Sequence, residues 1–314
     1  MTAVRAVQIT SLGGLDRLHE AELPDPVPGD GEVLVDVEAA GVNFADIERI
    51  AGTYLPPELP FVPGGEVVGR TADGTRVMAF ARGGYATKAV VKDPVEIPPA
   101  MAAGEALALL VQGLTAWHLL RTAARVRQGD SVVVNAGAGG VGHLAVQLAK
   151  EFGASRVIAT ASTEAKRELA LSLGADAAVD GSADGYAARI TSANGGQGAD
   201  IVLDAVGGPV FDAAVDALAP FGRIVAYGTS SGVDPSPVDV DLLTNRNASV
   251  TGFWVGPTLR MPGMLDEPLR ELVRLTVEGR LRPVVGGEYK LADARPALED
   301  LAARRTHGKI VLLP

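Results

Sequence analysis

Three glycines, Gly137, Gly139 and Gly142, fall in the spacing G-x-G-x-x-G inside the run Asn135-Ala136-Gly137-Ala138-Gly139-Gly140-Val141-Gly142. A turn of this composition can hold the pyrophosphate of a dinucleotide. The first glycine permits the turn, the second lets phosphate approach the backbone, and the third lets the following helix pack on the preceding strand. Backbone N–H groups at the helix start, reinforced by its dipole, then face the negative charge. The candidate contacts are Gly137, Ala138, Gly139, Gly140, Val141 and Gly142. In a chain with 38 glycines such a pattern carries weight only if a strand precedes it and a helix follows.

About 20 residues beyond such a turn, the tip of the next strand meets the adenosine ribose. Here the tip reads Ala159-Thr160-Ala161-Ser162-Thr163, followed by Glu164-Ala165-Lys166-Arg167. No carboxylate stands at the tip to bind a ribose 2′-hydroxyl. Ser162, Lys166 and Arg167 instead offer a hydroxyl and two cations to a 2′-phosphate, which favours NADPH over NADH. The same residues also fit an ordinary helix start, capped by Ser162 or Thr163, with Lys166 and Arg167 on a solvated face.

The elements needed to position this turn are legible around it. Val132 to Val134 form a β-branched run, and Val141, Leu144, Ala145, Leu148 and Ala149 recur at helical intervals after the glycines. Strand and helix signals then alternate: strands near 157–159, 177–179, 201–203, 223–227 and 250–255, and helices near 163–173 and 210–218. That rhythm predicts a doubly wound parallel sheet. The first 90 residues read instead as short strands cut by Pro and Gly, with helical turns at 43–50. Residues 102–124 read as helical with a break at Gln112-Gly113, and helices near 269–278 and 296–303 precede a closing strand at 308–313.

Composition narrows the classes. The 314 residues suffice for two domains. There is no cysteine, so disulfides, thiolate nucleophiles and cysteine-ligated zinc are excluded. The four histidines, His19, His118, His143 and His307, have no metal-ligand spacing. A net charge of −10 argues against nucleic acid or an anionic membrane as partner. No signal peptide and no apolar run of membrane-spanning length is read, so a cytoplasmic protein is expected.

Further motifs carry a family resemblance: Ala40-Gly-Val-Asn43-Phe-Ala-Asp46, Gly52-x-Tyr54, Pro63-Gly-Gly-Glu66, Gln112-Gly-Leu-Thr-Ala, Leu173-Gly-Ala-Asp and Gly308-Lys-Ile-Val, together with the glycine turn. In this order the chain resembles the medium-chain dehydrogenase/reductases, and among them the zinc-independent quinone oxidoreductases. The resemblance implies an α/β protein with a GroES-like, mostly-β substrate domain and a doubly wound Rossmann domain, the active site lying in the cleft of the two. The expected division is 1–114 for the first part of the substrate domain, 115–254 for the Rossmann domain, and 255–314 for the return to the substrate domain. Zinc relatives place a ligand cysteine where this chain has Asn43 and a histidine where it has Gly65.

Without a Lewis acid, the expected acceptors are those activated by conjugation: quinones or α,β-unsaturated carbonyl compounds. The resemblance assigns Asn43 to the carbonyl or nicotinamide region and Tyr54 to the substrate cleft. Asp46 ties down its loop. Thr115, Gly228, Phe253 and Val255 match nicotinamide contacts, and a homodimer is implied through the strand at 250–255. Two departures stand out: Ile50 replaces a common arginine, and Val179-Asp180-Gly181 lacks the tyrosine that some relatives use on the 2′-phosphate. An enoyl reductase on a larger polyketide-like intermediate is the alternative within enzymes; a non-catalytic NADPH- or RNA-binding relative is the alternative outside them.

Overall fold

The computed structural model describes residues 3–314 and divides into two compact units, one built from 3–111 and 283–314, the other from 112–282. In the first unit the N-terminal strands are β1 (Val4–Gln8), β2 (His19–Leu23), β3 (Glu32–Val42), β4 (Glu66–Arg70), β5 (Arg76–Arg82), β6 (Lys88–Lys92) and β7 (Val95–Glu96). The 11-residue β3 organises them. Its first half pairs antiparallel with β6 and its second half with β4, and β4 and β5 continue the ladder to β6. A register shift between Val37 and Ala39 bends β3 so that one strand serves both partners. Val35, Ala40, Val42, Val67, Val77, Ala79, Ala89 and Val91 fill the interior.

The second unit is a six-stranded sheet with every pairing parallel: β8 (Ser131–Val134), β9 (Arg156–Ala161), β10 (Ala177–Asp180), β11 (Ala199–Asp204), β12 (Leu218–Ala226) and β13 (Ser249–Gly252). The order β10-β9-β8-β11-β12-β13 is that of the doubly wound Rossmann sheet, with its reversal between β8 and β11. All four residues of β8 are buried, as expected of a strand covered on both faces. The helices Gly142–Glu151, Glu164–Ser172, Tyr186–Ala193 and Gly208–Asp216 make the crossovers.

The chain then returns to the first unit. Strand β14 (Val285–Lys290) lies parallel to β15 (Lys309–Leu313), and β15 pairs antiparallel with the end of β3, Ile310 opposite Val42. Helix Ala294–Ala302 buries Ala294, Ala297 and Leu298 in the same core as β3.

Several expectations need correction. The boundary placed at 254/255 falls at 282/283, because helix Asp266–Val277 belongs with the parallel-sheet unit. The Trp117 indole donates to Glu271 there (2.7 Å), and His118 Nε2 donates to the Met264 carbonyl (2.8 Å). The first boundary lies at 111/112 rather than 114/115. No break occurs at Gln112-Gly113, where the helical run widens into a π-turn over Leu109–Gly113. That helix, Ala103–Ala123, is long and apolar enough to cross a membrane, but 78% of its most apolar window is buried inside the protein. Leu218 begins a strand instead of ending a helix. The strand expected at 250–255 stops at Gly252, since Val255–Thr258 turns helical.

Candidate functional site

The glycine turn sits at the C-terminal end of β8, at the reversal of strand order where doubly wound sheets bind their ligands. Its left-handed residue is Ala136 (φ 52°), not Gly137 as the spacing suggests. Gly137 serves close packing instead: a Cβ there would lie 2.6 Å from that of Ala159 in β9. A Cβ on Gly142 would stand 2.2 Å from the Ala136 carbonyl oxygen, so only glycine lets the helix start this near the turn. Gly139 is different. Its nearest neighbour would be the Ala136 oxygen at 3.1 Å and the next atom 3.9 Å away, which leaves room on that side for a phosphate. Such a cradle at the start of the ten-residue helix Gly142–Glu151 fits a dinucleotide pyrophosphate.

Beneath the turn lies a buried polar network. Asn135 Nδ2 donates to Asp204 (2.8 Å), and Asn135 Oδ1 accepts from Thr160 (2.9 Å) and from Tyr186 (2.7 Å). Asp204 also accepts from the Gly207 N–H at 2.9 Å. These groups tie together the ends of β8, β9 and β11. Burial raises the Asp204 carboxyl and the Tyr186 hydroxyl above their ordinary pKa values. The sequence reading missed this network, although an asparagine directly after an apolar run and before the glycines was its one visible signal.

At the β9 tip the cap is Thr163, whose Oγ1 accepts from the Lys166 N–H at 3.3 Å. Ser162 is exposed and Lys166 half-buried beside it. Arg167 folds back, donating to the Ala161 carbonyl (3.1 Å), and lies 3.7 Å from Asp180. Its charge is therefore partly offset at the place where a 2′-phosphate would need it. Gly228 follows β12, and Phe253 follows β13 with its N–H bonded to the Ala226 carbonyl (2.8 Å). Parallel strands all end on one edge, so the glycine turn, Ser162, Gly228 and Phe253 share it; Val255 begins the short helix just beyond. Thr115 is buried in helix Leu114–His118 of the same unit.

In the other unit Asn43 and Tyr54 flank helix Phe44–Ala51. Asn43 caps its start, and the Tyr54 N–H closes its end on the Glu48 carbonyl at 3.3 Å. The Asn43 N–H donates to Asp46 (2.9 Å), which also accepts from the Tyr85 hydroxyl (2.9 Å). Asn43 Nδ2 donates to Glu66 at 2.7 Å, and its Oδ1 accepts from Lys309 at 3.2 Å. Glu66 and Lys309 form a fully buried ion pair. Among the described residues no group of three or more His, Asp or Glu side chains is arranged to hold a metal.

Burial raises Asp46 to about 6, against the lowering pull of Asn43, Tyr85 and Lys309. Its charge therefore costs stability: the folded state prefers the proton between the unfolded pKa near 4 and the folded value. Relative to Asp46→Asn, the wild-type melting temperature should fall as pH rises from 4 to 7, the window being worth on the order of 3 kcal/mol. Parallel melting curves would contradict the assignment.

The comparisons with known proteins agree with this architecture. Residues 29–98 match the alcohol dehydrogenase GroES-like domain, and residues 140–270 the zinc-binding dehydrogenase domain. A quinone oxidoreductase of Pseudomonas aeruginosa is 32% identical, covering 99% of each chain. A mycobacterial structure solved with NADPH superposes with a TM-score of 0.92 at 37% identity, covering 99% of this chain and 100% of the other. A Mycobacterium tuberculosis phenolphthiocerol/phthiocerol polyketide synthase subunit is 32% identical over 99% of this chain, which spans 15% of that longer protein.

Fold and glycine turn together define the class, a two-unit dehydrogenase/reductase of GroES-like and Rossmann parts. Within it, the chain belongs to the zinc-independent quinone oxidoreductase branch of the medium-chain dehydrogenase/reductases.

Proposed function

We propose that this protein is an NADPH-dependent reductase that transfers hydride to a quinone or an α,β-unsaturated carbonyl compound. The observation that carries the reading is the glycine turn at the reversal of strand order, with Gly139 open on the side a phosphate would occupy. Kinship with a quinone oxidoreductase and with an NADPH-bound structure supports the same assignment.

Bound NADPH supplies the hydride. The chain's part is placement. Residues 137–142 hold the pyrophosphate, and Ser162 and Lys166 face the ribose phosphate. Thr115, Gly228, Phe253 and Val255 border the nicotinamide. Asn43 donates to the acceptor carbonyl, and Tyr54 adds a second hydrogen bond. A zinc-free site of this kind stabilises developing negative charge on oxygen through fixed N–H and O–H dipoles, and the proton comes from water or a hydroxyl.

The similarity to a polyketide synthase segment favours a second reading, an enoyl reductase acting on a larger biosynthetic intermediate. The reading also takes the protein as cytoplasmic and homodimeric. Strand β13 supports the dimer, since it is an edge of the parallel sheet with β12 as its partner, and a second copy can extend the sheet there. Light scattering at about the monomer mass of 32.3 kDa would refute it.

Nicotinamide fluorescence titrations with NADPH and NADH, followed by a panel of quinones and enones, test the assignment. Tighter binding of NADPH and acceptor-dependent oxidation are expected. Failure to bind either nucleotide would remove the cofactor reading. Binding without oxidation by any quinone or enone would overturn the acceptor class.

A further inference from the structure

Glu66 and Lys309 are both 0% exposed, and three strands bring them to Asn43. Asn43 follows β3, Glu66 opens β4 and Lys309 opens β15. Gly41 makes the space: a Cβ there would lie within 2.3 Å of the Glu66 carboxylate. Besides Lys309 and Asn43, Glu66 accepts from the Val111 N–H (3.0 Å), and Lys309 reaches the Val42 carbonyl at 3.4 Å.

This cluster treats the two ends of the Asn43 amide differently. An ammonium only donates and a carboxylate only accepts. With Oδ1 toward Lys309 and Nδ2 toward Glu66, both contacts are charge-assisted hydrogen bonds. Turned over, the amide would press an NH2 against the ammonium and an oxygen against the carboxylate. The backbone of Asn43 is held separately, by Asp46 on its N–H and Tyr85 behind Asp46. One pair of groups thus places the residue and another sets its polarity.

We propose that Glu66 and Lys309 are positioning residues that lock the Asn43 amide in one flip state, fixing where its donor nitrogen is offered to an acceptor carbonyl. The proposal rests on the reductase reading, in which Asn43 touches the acceptor. It adds that the ion pair acts on the reaction through the orientation of that amide and not only through the stability of the sheet.

The test replaces the pair by neutral groups together, so that neither charge is left alone in the interior. Glu66→Gln/Lys309→Met and Glu66→Gln/Lys309→Gln are two such variants, and either suffices if it folds. The chain has five asparagines, so the Asn43 side-chain amide is resolvable by selective 15N labelling and assigned by its disappearance in Asn43→Ala. Wild type should show Asn43 amide protons shifted away from the usual side-chain amide positions and protected from solvent exchange, and the double variants a pair near those usual positions that exchanges faster. The two protons stay distinct in both, because rotation about the amide C–N bond is slow.

The quinone-dependent kcat/KM of the double variants should fall about 100- to 1,000-fold, the range set by loss of an aimed donor. NADPH affinity, which rests on the glycine turn, should stay within about 3-fold. Adding Asn43→Ala should cost nothing further, since the effects share one route. A wild-type Asn43 signal in the double variants, or losses that multiply with Asn43→Ala, would overturn the lock. Should wild type itself reduce no quinone or enone, the reductase reading fails, and the amide spectrum still decides the orientation by itself.

Discussion

Gly142→Ala is expected to lower NADPH affinity by about 100-fold or more, roughly 2.7 kcal/mol, and to lower the melting temperature as well. The added Cβ would lie 2.2 Å from the Ala136 oxygen and 2.8 Å from the Gly137 Cα. Both are backbone atoms of the turn, so relief requires the turn and the helix Gly142–Glu151 to part. Overpacking of this kind costs about 1–3 kcal/mol in stability, and the displaced N–H groups no longer converge. Gly139→Ala provides the contrast. Its Cβ would meet only the Ala136 oxygen at 3.1 Å, so the fold tolerates it, while the methyl takes space assigned to phosphate. Affinity should fall with little change in melting temperature. Fluorescence titration beside thermal denaturation checks both. Wild-type affinity in Gly139→Ala would move the pyrophosphate elsewhere.

Asn135→Leu is expected to destabilise the parallel-sheet unit by about 3–5 kcal/mol, since each buried polar group left without its partner costs about 1–3 kcal/mol. Leucine leaves the Thr160 and Tyr186 hydroxyls without the acceptor they share and takes from Asp204 the amide donor opposing its desolvation. At about 2–4 °C per kcal/mol, the melting temperature should drop by roughly 10 °C. Dinucleotide affinity should fall too, because the same residues hold the strand ends that carry the turn. Near-UV circular dichroism through a thermal ramp measures the first effect. A change under 1 °C would mean that the network is redundant.

The parallel-sheet unit was largely readable because its strands are buried on both faces. Such strands leave compact β-branched runs, as at Val132–Val134 and 201–203, and the glycine spacing between one of them and a helix fixes their relation. What escaped depends on contacts distant in sequence. Gly113 reads as a breaker, yet the helical run widens and continues there, with the Gln112 side chain packed where a Cβ on Gly140 would be. Strand β14, which the sequence expectations lack, contains Gly286 and Gly287 and becomes a strand only by pairing with β15. In the candidate site, Asn43 and Tyr54 are proposed through neighbouring motif residues. Glu66 and Lys309 were visible only as members of motifs without a role, because no local pattern joins residues 243 positions apart. The turn itself departs from propensity for a local reason: Ala136 occupies a left-handed conformation that propensity assigns to glycine. Its carbonyl is fixed by the Gly139 N–H at 2.8 Å.

The discontinuity of the first unit bears on how the protein is made. Glu66 receives Lys309 only after 243 further residues have been added, and β3, which lies earlier in the chain, waits longer still for β15. At about 5–20 residues per second, the ribosome needs roughly 12–50 s for that interval. The parallel-sheet unit, contiguous from 112 to 282, is complete before then. The nascent chain therefore holds all the residues of the parallel-sheet unit while β3 still lacks its β15 neighbour and Glu66 its counter-ion. Folding of the earlier-synthesised strands ends last.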